Sequence, residues 1–336
     1  MPKKNLPPDA AKMGEFALIA RHFTRTAAAS AESLVLGVGD DGALIQPTPG
    51  HQLAISSDML VEGRHFFPDA DPGSLGHKAL AVNLSDLAAM GARPLGFTLA
   101  IALPAVDDAW LAAFARGLFA LADAHACPLV GGDTTRGPLT LSITVFGEVL
   151  PGQALRRSAA QSGDDLWLSG RTGEARLALA QRQGLPWATT ASPADLTQAR
   201  ARMDQPTPRL ALGQALAGLA HAAIDVSDGL AGDLGHILQA SELGADIDWA
   251  ALPLAPALAA LPVEWQRECV LHGGDDYELL FTASPDDRDR VRAAGAASET
   301  VVQRIGRLHA APGLVLIDHH GQRAPLAMRG HDHFAA

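Results

Sequence analysis

The sequence predicts two α/β domains joined near residue 150. Three observations carry this reading. The chain has 336 residues, and one domain takes roughly 150. Its first half alternates short apolar strands with helical patterns. A segment rich in Pro, Gly and polar residues, VLPGQALRRSAAQSGDD (149–165), then interrupts the alternation before it resumes.

The elements follow in order. LVLGV (34–38) and HQLAISSD (51–58) read as short strands. GFTLAIAL (96–103) sets Phe97, Leu99, Ile101 and Leu103 on one face, and LTLSITVFGEV (139–149) does the same with Leu139, Leu141, Ile143 and Val145. Between them, Leu80, Leu84 and Leu87 mark a helix over 76–91. Leu111, Phe114, Leu118 and Leu121 mark another over 108–125, with Asp107 or Asp108 placed to cap it. The second half opens with the strand DLWLSG (165–170) and a helix from about 173, followed by a polar stretch, QGLPWATTASPADLTQ. A helix over about 208–221, the run AAIDVSDGL and a helix over 230–241 come next. ELLFTA (278–283), VVQRIGR (301–307) and GLVLID (313–318) read as closing strands.

Composition narrows the function. Basic residues number 26 against 37 acidic, a net charge of -11. That disfavours nucleic acid or an anionic membrane as the main partner, since both select clustered Lys and Arg. Hydrophobic residues make up 48%, ample for buried cores, and Trp110 and Trp167 are expected there. Cys127 and Cys269 are the only cysteines and have no CxxC spacing, so they read as packed thiols. No apolar run reaches the ~18 residues of a membrane span. The opening MPKKNLPPDAAKMGEF reads as a loose polar arm rather than a signal peptide, and a reducing cytoplasm is the expected compartment.

One glycine motif needs care. In LVLGVGDDGALI (34–45), Gly37, Gly39 and Gly42 fit G-x-G-x-x-G, with Asp58 and Glu62 about twenty residues on. A dinucleotide turn requires a helix at the third glycine, yet only ALIQ separates Gly42 from Pro47. Asp40 and Asp41 would also repel a pyrophosphate. Two carboxylates about 5 Å apart already cost roughly 3 kcal/mol at an effective dielectric of ~20. A divalent cation reverses that sign. Gly-Asp-Asp-Gly is also good turn chemistry with no ligand at all.

The aspartates recur: GDDGA (39–43), ISSDM (55–59), NLSD (83–86), GGDTT (131–135), DVSDG (225–229) and GGDDYE (273–278). Each alone reads as a cap or turn. Asp86 differs, because it falls inside a helical run on the face of Asn83, where Asp is a poor helix former. Six such clusters across both halves point to Mg2+, which takes hard oxygen ligands and links carboxylates to substrate phosphates. Ser56, Ser57, Thr134, Thr135 and Ser227 offer hydroxyls beside them. Walker A, H-R-D and D-F-G signatures are absent, so any nucleotide chemistry here is metal-rich. Arg136, Arg156 and Arg157 suit forked phosphate contact, or a solvated surface. His65 suits a ligand contact or a half-buried turn equally.

Taken in order, GEFALIARHF (14–23), GVGDDGAL, LAISSDMLVEGRHF, HKALAVNLSDLAAMGARP, GGDTTRGPL, AIDVSDGLAGDLGHI, GGDDYELLF and GHDHF (330–334) resemble the thiamine-monophosphate kinase family. That family belongs to the superfamily of aminoimidazole ribonucleotide synthetase and selenophosphate synthetase. The likeness runs nearly end to end, and SDMLVEGRHF, NLSDLAAMGA and GGDTTRG are its most specific parts. It implies ATP-dependent phosphorylation of thiamine monophosphate to thiamine diphosphate. It also implies a two-domain, synthetase-like α/β (α+β) fold. Residues 1–150 would bind metal and ATP, and their mixed sheet would form a barrel shared across a homodimer. Residues 151–336 would complete the active-site cleft.

Carried over by position, the resemblance implies magnesium ligands at Asp41, Asp58, Asp86, Asp133, Asp225 and Asp228, with Ser56, Ser57 and Asp40 assisting. Gly132 and Asp133 would lie by the nucleotide, with Arg157 and Ser227 on its phosphates. His65, Asp275 and Met328 would face thiamine. Two positions depart from the family: Asp275 stands where many relatives have Glu, and Met328 where relatives often offer an aromatic face. The expected chemistry is direct in-line transfer without an enzymic acid or base. The alternatives are another ATP-dependent reaction of the superfamily, or a non-catalytic Mg–nucleotide binder. Selenophosphate synthesis is disfavoured because no Cys precedes Cys127.

Overall fold

The computed structural model describes residues 14–25 and 33–330. These divide into two units: the described residues up to Leu84 with Pro94–Glu148, and Ser85–Arg93 with the described residues from Val149.

The first stretch of chain runs α1 (Glu15–His22), β1 (Leu34–Leu36), β2 (Leu44–Ile45), β3 (Gln52–Val61), α2 (Pro72–Ala89), β4 (Arg93–Leu103), α3 (Asp108–Ala124), β5 (Leu129–Arg136) and β6 (Thr140–Val149). β1 and β2 form an antiparallel hairpin. The other strands form a sheet in the order β3-β6-β4-β5, with β4 and β5 parallel. The predicted alternation is the buried face: Phe97, Leu99, Ile101 and Leu103 of β4 and Leu141, Ile143 and Val145 of β6 are buried, as is Leu139 before it. Leu80, Leu84 and Leu87 of α2 and Leu111, Phe114, Leu118 and Leu121 of α3 are also buried.

Helices α2 and α3 approach through glycines. A Cβ at Gly117 would collide with the Gly73 carbonyl, and one at Gly76 with that of Phe114. The cap of α3 is Asp107, whose Oδ1 accepts the Ala109 and Trp110 amides at 3.0 Å each. Asp108 instead pairs with Arg21 and His22, at 2.8 Å each. The predicted loose arm therefore ends sooner than its composition suggests. Glu15 already starts α1, and Leu18 and Phe23 are buried, Phe23 edge-on to Phe114. The rest of that arm, residues 1–13, lies outside the described residues. Trp110 is half-buried rather than core, stacked on Phe114 at 5.2 Å.

The second stretch runs β7 (Asp165–Ser169), α4 (Glu174–Arg182), α5 (Pro193–Asp204), α6 (Leu210–Leu216), β8 (Ala222–Asp225), α7 (Leu230–Ser241), β9 (Gly244–Asp248), α8 (Pro256–Ala259), α9 (Val263–His272), β10 (Leu279–Ala283), α10 (Arg288–Ala297), β11 (Val302–His309), β12 (Gly313–Ile317) and β13 (Arg323–Pro325). Its seven strands take the order β13-β12-β9-β11-β7-β10-β8. The β12–β9 pair is parallel and the other pairs are antiparallel. Every residue of β7, β8 and β10 is buried, which is why these strands read as continuous apolar runs rather than alternating ones. Trp167 and Phe281 pair across β7 and β10 and stack at 6.3 Å.

The polar stretch 183–198 contains more order than its composition suggests. It holds a turn at Pro186–Thr190 and the start of α5, where Ser192 caps the helix by accepting the Asp195 amide at 3.2 Å. Helix α6 stops at Leu216, short of the expected 221, because Gly218 turns the chain with φ +73. Among the described residues, no helix is long and apolar enough to cross a membrane.

Candidate active site

In the first unit, β3 presents Ser56, Ser57 and Asp58. The Asp58 amide donates to Asn83 Oδ1 at 3.0 Å, and Asn83 Nδ2 donates to the Ala79 carbonyl at 3.0 Å. A buried asparagine one helical turn before Asp86 thus sets the end of β3. Ser57 Oγ donates to the Ile143 carbonyl at 3.1 Å and so accepts from Thr144 Oγ1 at 3.0 Å, which leaves one lone pair to offer a cation. Asp40 and Asp41 are exposed in the turn between β1 and β2, where Asp40 Oδ1 accepts the Asp41 amide at 2.8 Å. After Gly42 comes strand β2 instead of a helix, so the dinucleotide pattern lacks its structural context.

β5 was hidden in the sequence by its glycines. In register, Gly132 lies opposite Leu99, and Asp133 opposite Ala100. Gly132 has φ +151, and a Cβ there would lie 2.7 Å from the Leu99 carbonyl carbon. Only glycine fits, and Asp133 is thereby carried exposed beside it. His65 closes a turn on β3: Nδ1 accepts the Val61 amide at 3.0 Å while its own amide donates to the Val61 carbonyl at 3.0 Å. A proton on a neutral ring therefore sits on Nε2.

In the second unit, Asp225 ends β8 as a buried carboxylate and accepts the Ser85 hydroxyl at 2.7 Å. The loop beyond it, Val226–Gly229, is tied to a second loop, Gly273–Glu278. The Asp275 amide donates to the Ser227 carbonyl at 2.7 Å, and the Tyr277 amide to that of Val226 at 2.8 Å. Asp275 and Tyr277 have φ of +71 and +53, the left-handed region that side chains rarely adopt. Strain of this kind gathers at functional loops, and here buried anchors hold it. Asp276 accepts the Gly173 amide at 2.8 Å, and its carboxyl is pushed well above the usual range, chiefly by burial. Glu278 binds Ser169, Arg202 and Arg209.

Asp233, on the first turn of α7, is also buried. Burial pushes its carboxyl up to about 7, against the pull of the amides it accepts; the charge of Asp228 pushes the same way as burial. Met328 is 43% exposed and lies over the glycine face of α7, 3.0 Å from where a Cβ on Gly235 would be. Gly330 comes beside Asp228. Residues 331–334, the rest of the predicted closing motif, lie outside the described residues.

The structure thus joins Asp225, Ser227, Asp228 and Asp275 in two knitted loops, with Met328 alongside. It sets Ser56, Ser57 and Asp58 on one strand and Gly132 and Asp133 on another. Arg157 is exposed, and its carbonyl accepts the Ser241 hydroxyl at 2.8 Å, at the end of α7 opposite Ser227. Among the described residues, no three His, Cys, Asp or Glu side chains stand close enough to hold a metal ion on their own. Asn83, Ser85, Asp233, Asp276 and Glu278 brace these segments but were not singled out from the sequence. Their signal was adjacency, since each lies within or just beside an aspartate motif.

The family described as AIR synthase related protein, N-terminal domain, matches residues 39–149, and its C-terminal domain matches residues 161–319. A thiamine-monophosphate kinase of Escherichia coli O157:H7 is 46% identical over 96% of this chain and 98% of its own. The crystal structure of thiamine-monophosphate kinase from Stenotrophomonas maltophilia K279a superposes with a TM-score of 0.79. It has 49% identity and covers 85% of this chain and 91% of that one. AaThiL complexed with AMPPCP and TMP gives a TM-score of 0.73 at 25% identity, covering 99% and 100%. By sequence and by fold, then, the chain belongs to the thiamine-monophosphate kinase family.

Proposed function

We propose that this chain transfers the γ-phosphate of ATP to the phosphate of thiamine monophosphate, giving thiamine diphosphate and ADP. The observation that carries this is the 46% identity to a thiamine-monophosphate kinase over nearly the whole of both chains. A related structure holds TMP together with AMPPCP, a non-hydrolysable analogue of ATP, which supports the substrate pair.

The chemistry we assign is direct in-line transfer. An oxygen of the thiamine monophosphate phosphate bonds to the γ-phosphorus while the bridging β–γ oxygen leaves with ADP. That phosphate, with a second pKa of about 6, is already ionised near neutrality and needs no general base. What the protein must do is position the groups and offset charge. The donor set fits a hard cation, being carboxylates and hydroxyls without Cys or His. Asp41, Asp133 and Asp228 have no ion pair among the described residues. We assign Asp41, Asp58, Asp86, Asp133, Asp225 and Asp228, with Ser56 and Ser57, to hold Mg2+. When bound, Mg2+ would neutralise phosphate oxygens and complete its shell with them and water. Gly132 lets the backbone approach the nucleotide, and Arg157 and Ser227 are assigned to its phosphates. His65, Asp275 and Met328 are assigned to thiamine. The 1–150 part would carry metal, nucleotide and subunit contacts, and residues 151–336 would supply the remaining ligands of metal, nucleotide and thiamine.

A homodimer suits β3, an edge strand whose Leu53, Ile55 and Met59 are 52%, 61% and 56% exposed. Cytoplasmic residence suits two free, buried thiols. The test is thiamine diphosphate formation from thiamine monophosphate, ATP and Mg2+, beside an EDTA control. Product only with free Mg2+ is expected, and Asp133→Asn should abolish it with the melting temperature unchanged. ADP release without thiamine diphosphate would refute the substrate. A phospho-enzyme trapped with labelled ATP alone would refute direct transfer.

A further inference from the structure

Three successive amides of the loop that carries Ser227 and Asp228 converge on a single atom. Oδ2 of Asp233 accepts the amide hydrogens of Ser227, Asp228 and Gly229, each at 3.1 Å. Asp233 is 2% exposed. On its other side the loop is fixed by the Ser227 and Val226 carbonyls, which receive the Asp275 and Tyr277 amides. Consecutive amides at the start of a helix are an ordinary landing place for a phosphate. Here the chain's own carboxylate fills it. The amides are therefore not on offer to a nucleotide, and Ser227 and Asp228 can meet a ligand only through their side chains.

We propose that Asp233 is a positioning residue for phosphoryl transfer, setting the directions of the Ser227 hydroxyl and the Asp228 carboxylate by fixing the three peptide planes behind them. This rests on the kinase reading above. A simple helix cap makes a contrasting case, and the same protein supplies one. Asp107 accepts two amides at the start of α3 and carries no assigned role in the reaction. Loss of a cap alone lowers stability and leaves catalysis intact. Loss of the Asp233 clamp lets a loop with two assigned ligand residues rotate.

The experiment compares full-length wild type, Asp233→Ala, Asp233→Asn and Asp107→Ala. It reads kcat, both KM values, the half-saturating Mg2+ concentration and the melting temperature. For Asp233→Ala, kcat is expected to fall at least 100-fold and half-saturating Mg2+ to rise at least fivefold, with KM for thiamine monophosphate within threefold. Asp233→Asn keeps an oxygen for the same amides and should return kcat to within tenfold of wild type. Asp107→Ala should melt lower with kcat unchanged. If Asp233→Ala keeps kcat within threefold while melting as low as Asp107→Ala, Asp233 is a cap only and the proposal is overturned. Should Asp233→Ala fail to fold, Asp233→Ser takes its place: a loss in kcat of at least tenfold is expected, and kcat within threefold of wild type overturns the proposal. A wild type that makes no thiamine diphosphate defeats the kinase reading itself. Calorimetric affinity for Mg·ATP then decides: at least tenfold weakening in Asp233→Ala sustains the clamp, and equal affinity overturns it.

Discussion

Changing Glu278 to Gln keeps the shape of the side chain and removes one charge. Glu278 is fully buried, and it accepts Arg202 Nη2 at 2.6 Å and Arg209 at 2.7 Å (Nε) and 2.6 Å (Nη2). Burial works against the Arg202 charge, yet Glu278 together with Asp276 and Glu174 outweighs it and leaves that guanidinium's pKa raised. Breaking a buried pair by removing one partner costs about 3–5 kcal/mol. The Arg202 and Arg209 side chains are 23% and 16% exposed, so water recovers part of the loss. Glu174 also stays 4.0 Å from Arg202. Both facts favour the lower end, about 3 kcal/mol. At about 2–4 °C per kcal/mol for a domain of this size, the melting temperature should fall by about 6–12 °C. Differential scanning calorimetry measures this, with urea titration to check that the midpoint moves and the slope does not. Arg209→Met made in both backgrounds should show coupling above about 1 kcal/mol. A fall of less than about 2 °C with no coupling would refute the reasoning.

Three further outcomes are expected. Gly132→Ala should reduce thiamine diphosphate formation and lower the melting temperature, since overpacking costs about 1–3 kcal/mol and φ of +151 adds strain; unchanged values of both would contradict the close approach to Leu99. Asp107→Ala should destabilise by about 1 kcal/mol in chemical denaturation, with the steady-state rate retained. Burial pushes both cysteine thiols up to about 12, so a thiol reagent at pH 8 should find none in native protein and two after denaturation. The linkage has a definite sign. Between an ordinary value of 9.0 and about 12, the unfolded chain loses protons that the folded one keeps, so stability falls with rising pH there. Each thiol contributes about 1.4 kcal/mol per pH unit, and denaturation midpoints across that window check it.

Legibility in the sequence followed physical cause. Strands β4 and β6 were plain because one face is buried, so hydrophobicity alternates, and α7 was plain at both ends. Strand β5 was not, because Gly131 and Gly132 look like a turn and act as a close strand contact. Helix α5 was missed although Ser-Pro-Ala-Asp (192–195) is an N-terminal signature, with Ser192 capping and Pro193 first in the helix. The aspartate motifs stood out because carboxylates beside glycines are conspicuous. Their supports did not, because a serine such as Ser85 and a carboxylate such as Asp233 declare nothing until a partner distant in the chain, or a loop, folds onto them.

The strand order of the second sheet bears on how the chain folds as it is made. Strand β7 sits inside that sheet, yet its neighbours are β10 and β11, so Leu168 waits for both Leu280 and Gln303. The local hairpin of that sheet, β12–β13, comes last in the chain, so β7 has no neighbouring hairpin to start from. The β3-β6-β4-β5 sheet, by contrast, has all its strands once Val149 has emerged from the ribosome. Synthesis at about 5–20 residues per second leaves β7 unpaired for several seconds. Buried on both faces in the finished sheet, β7 is in that interval a segment with an apolar centre, Leu166–Leu168, and bare edges, and so the natural client of a holding chaperone. Translation stalled between residues 170 and 278 should therefore yield a folded first sheet attached to a chaperone-bound remainder.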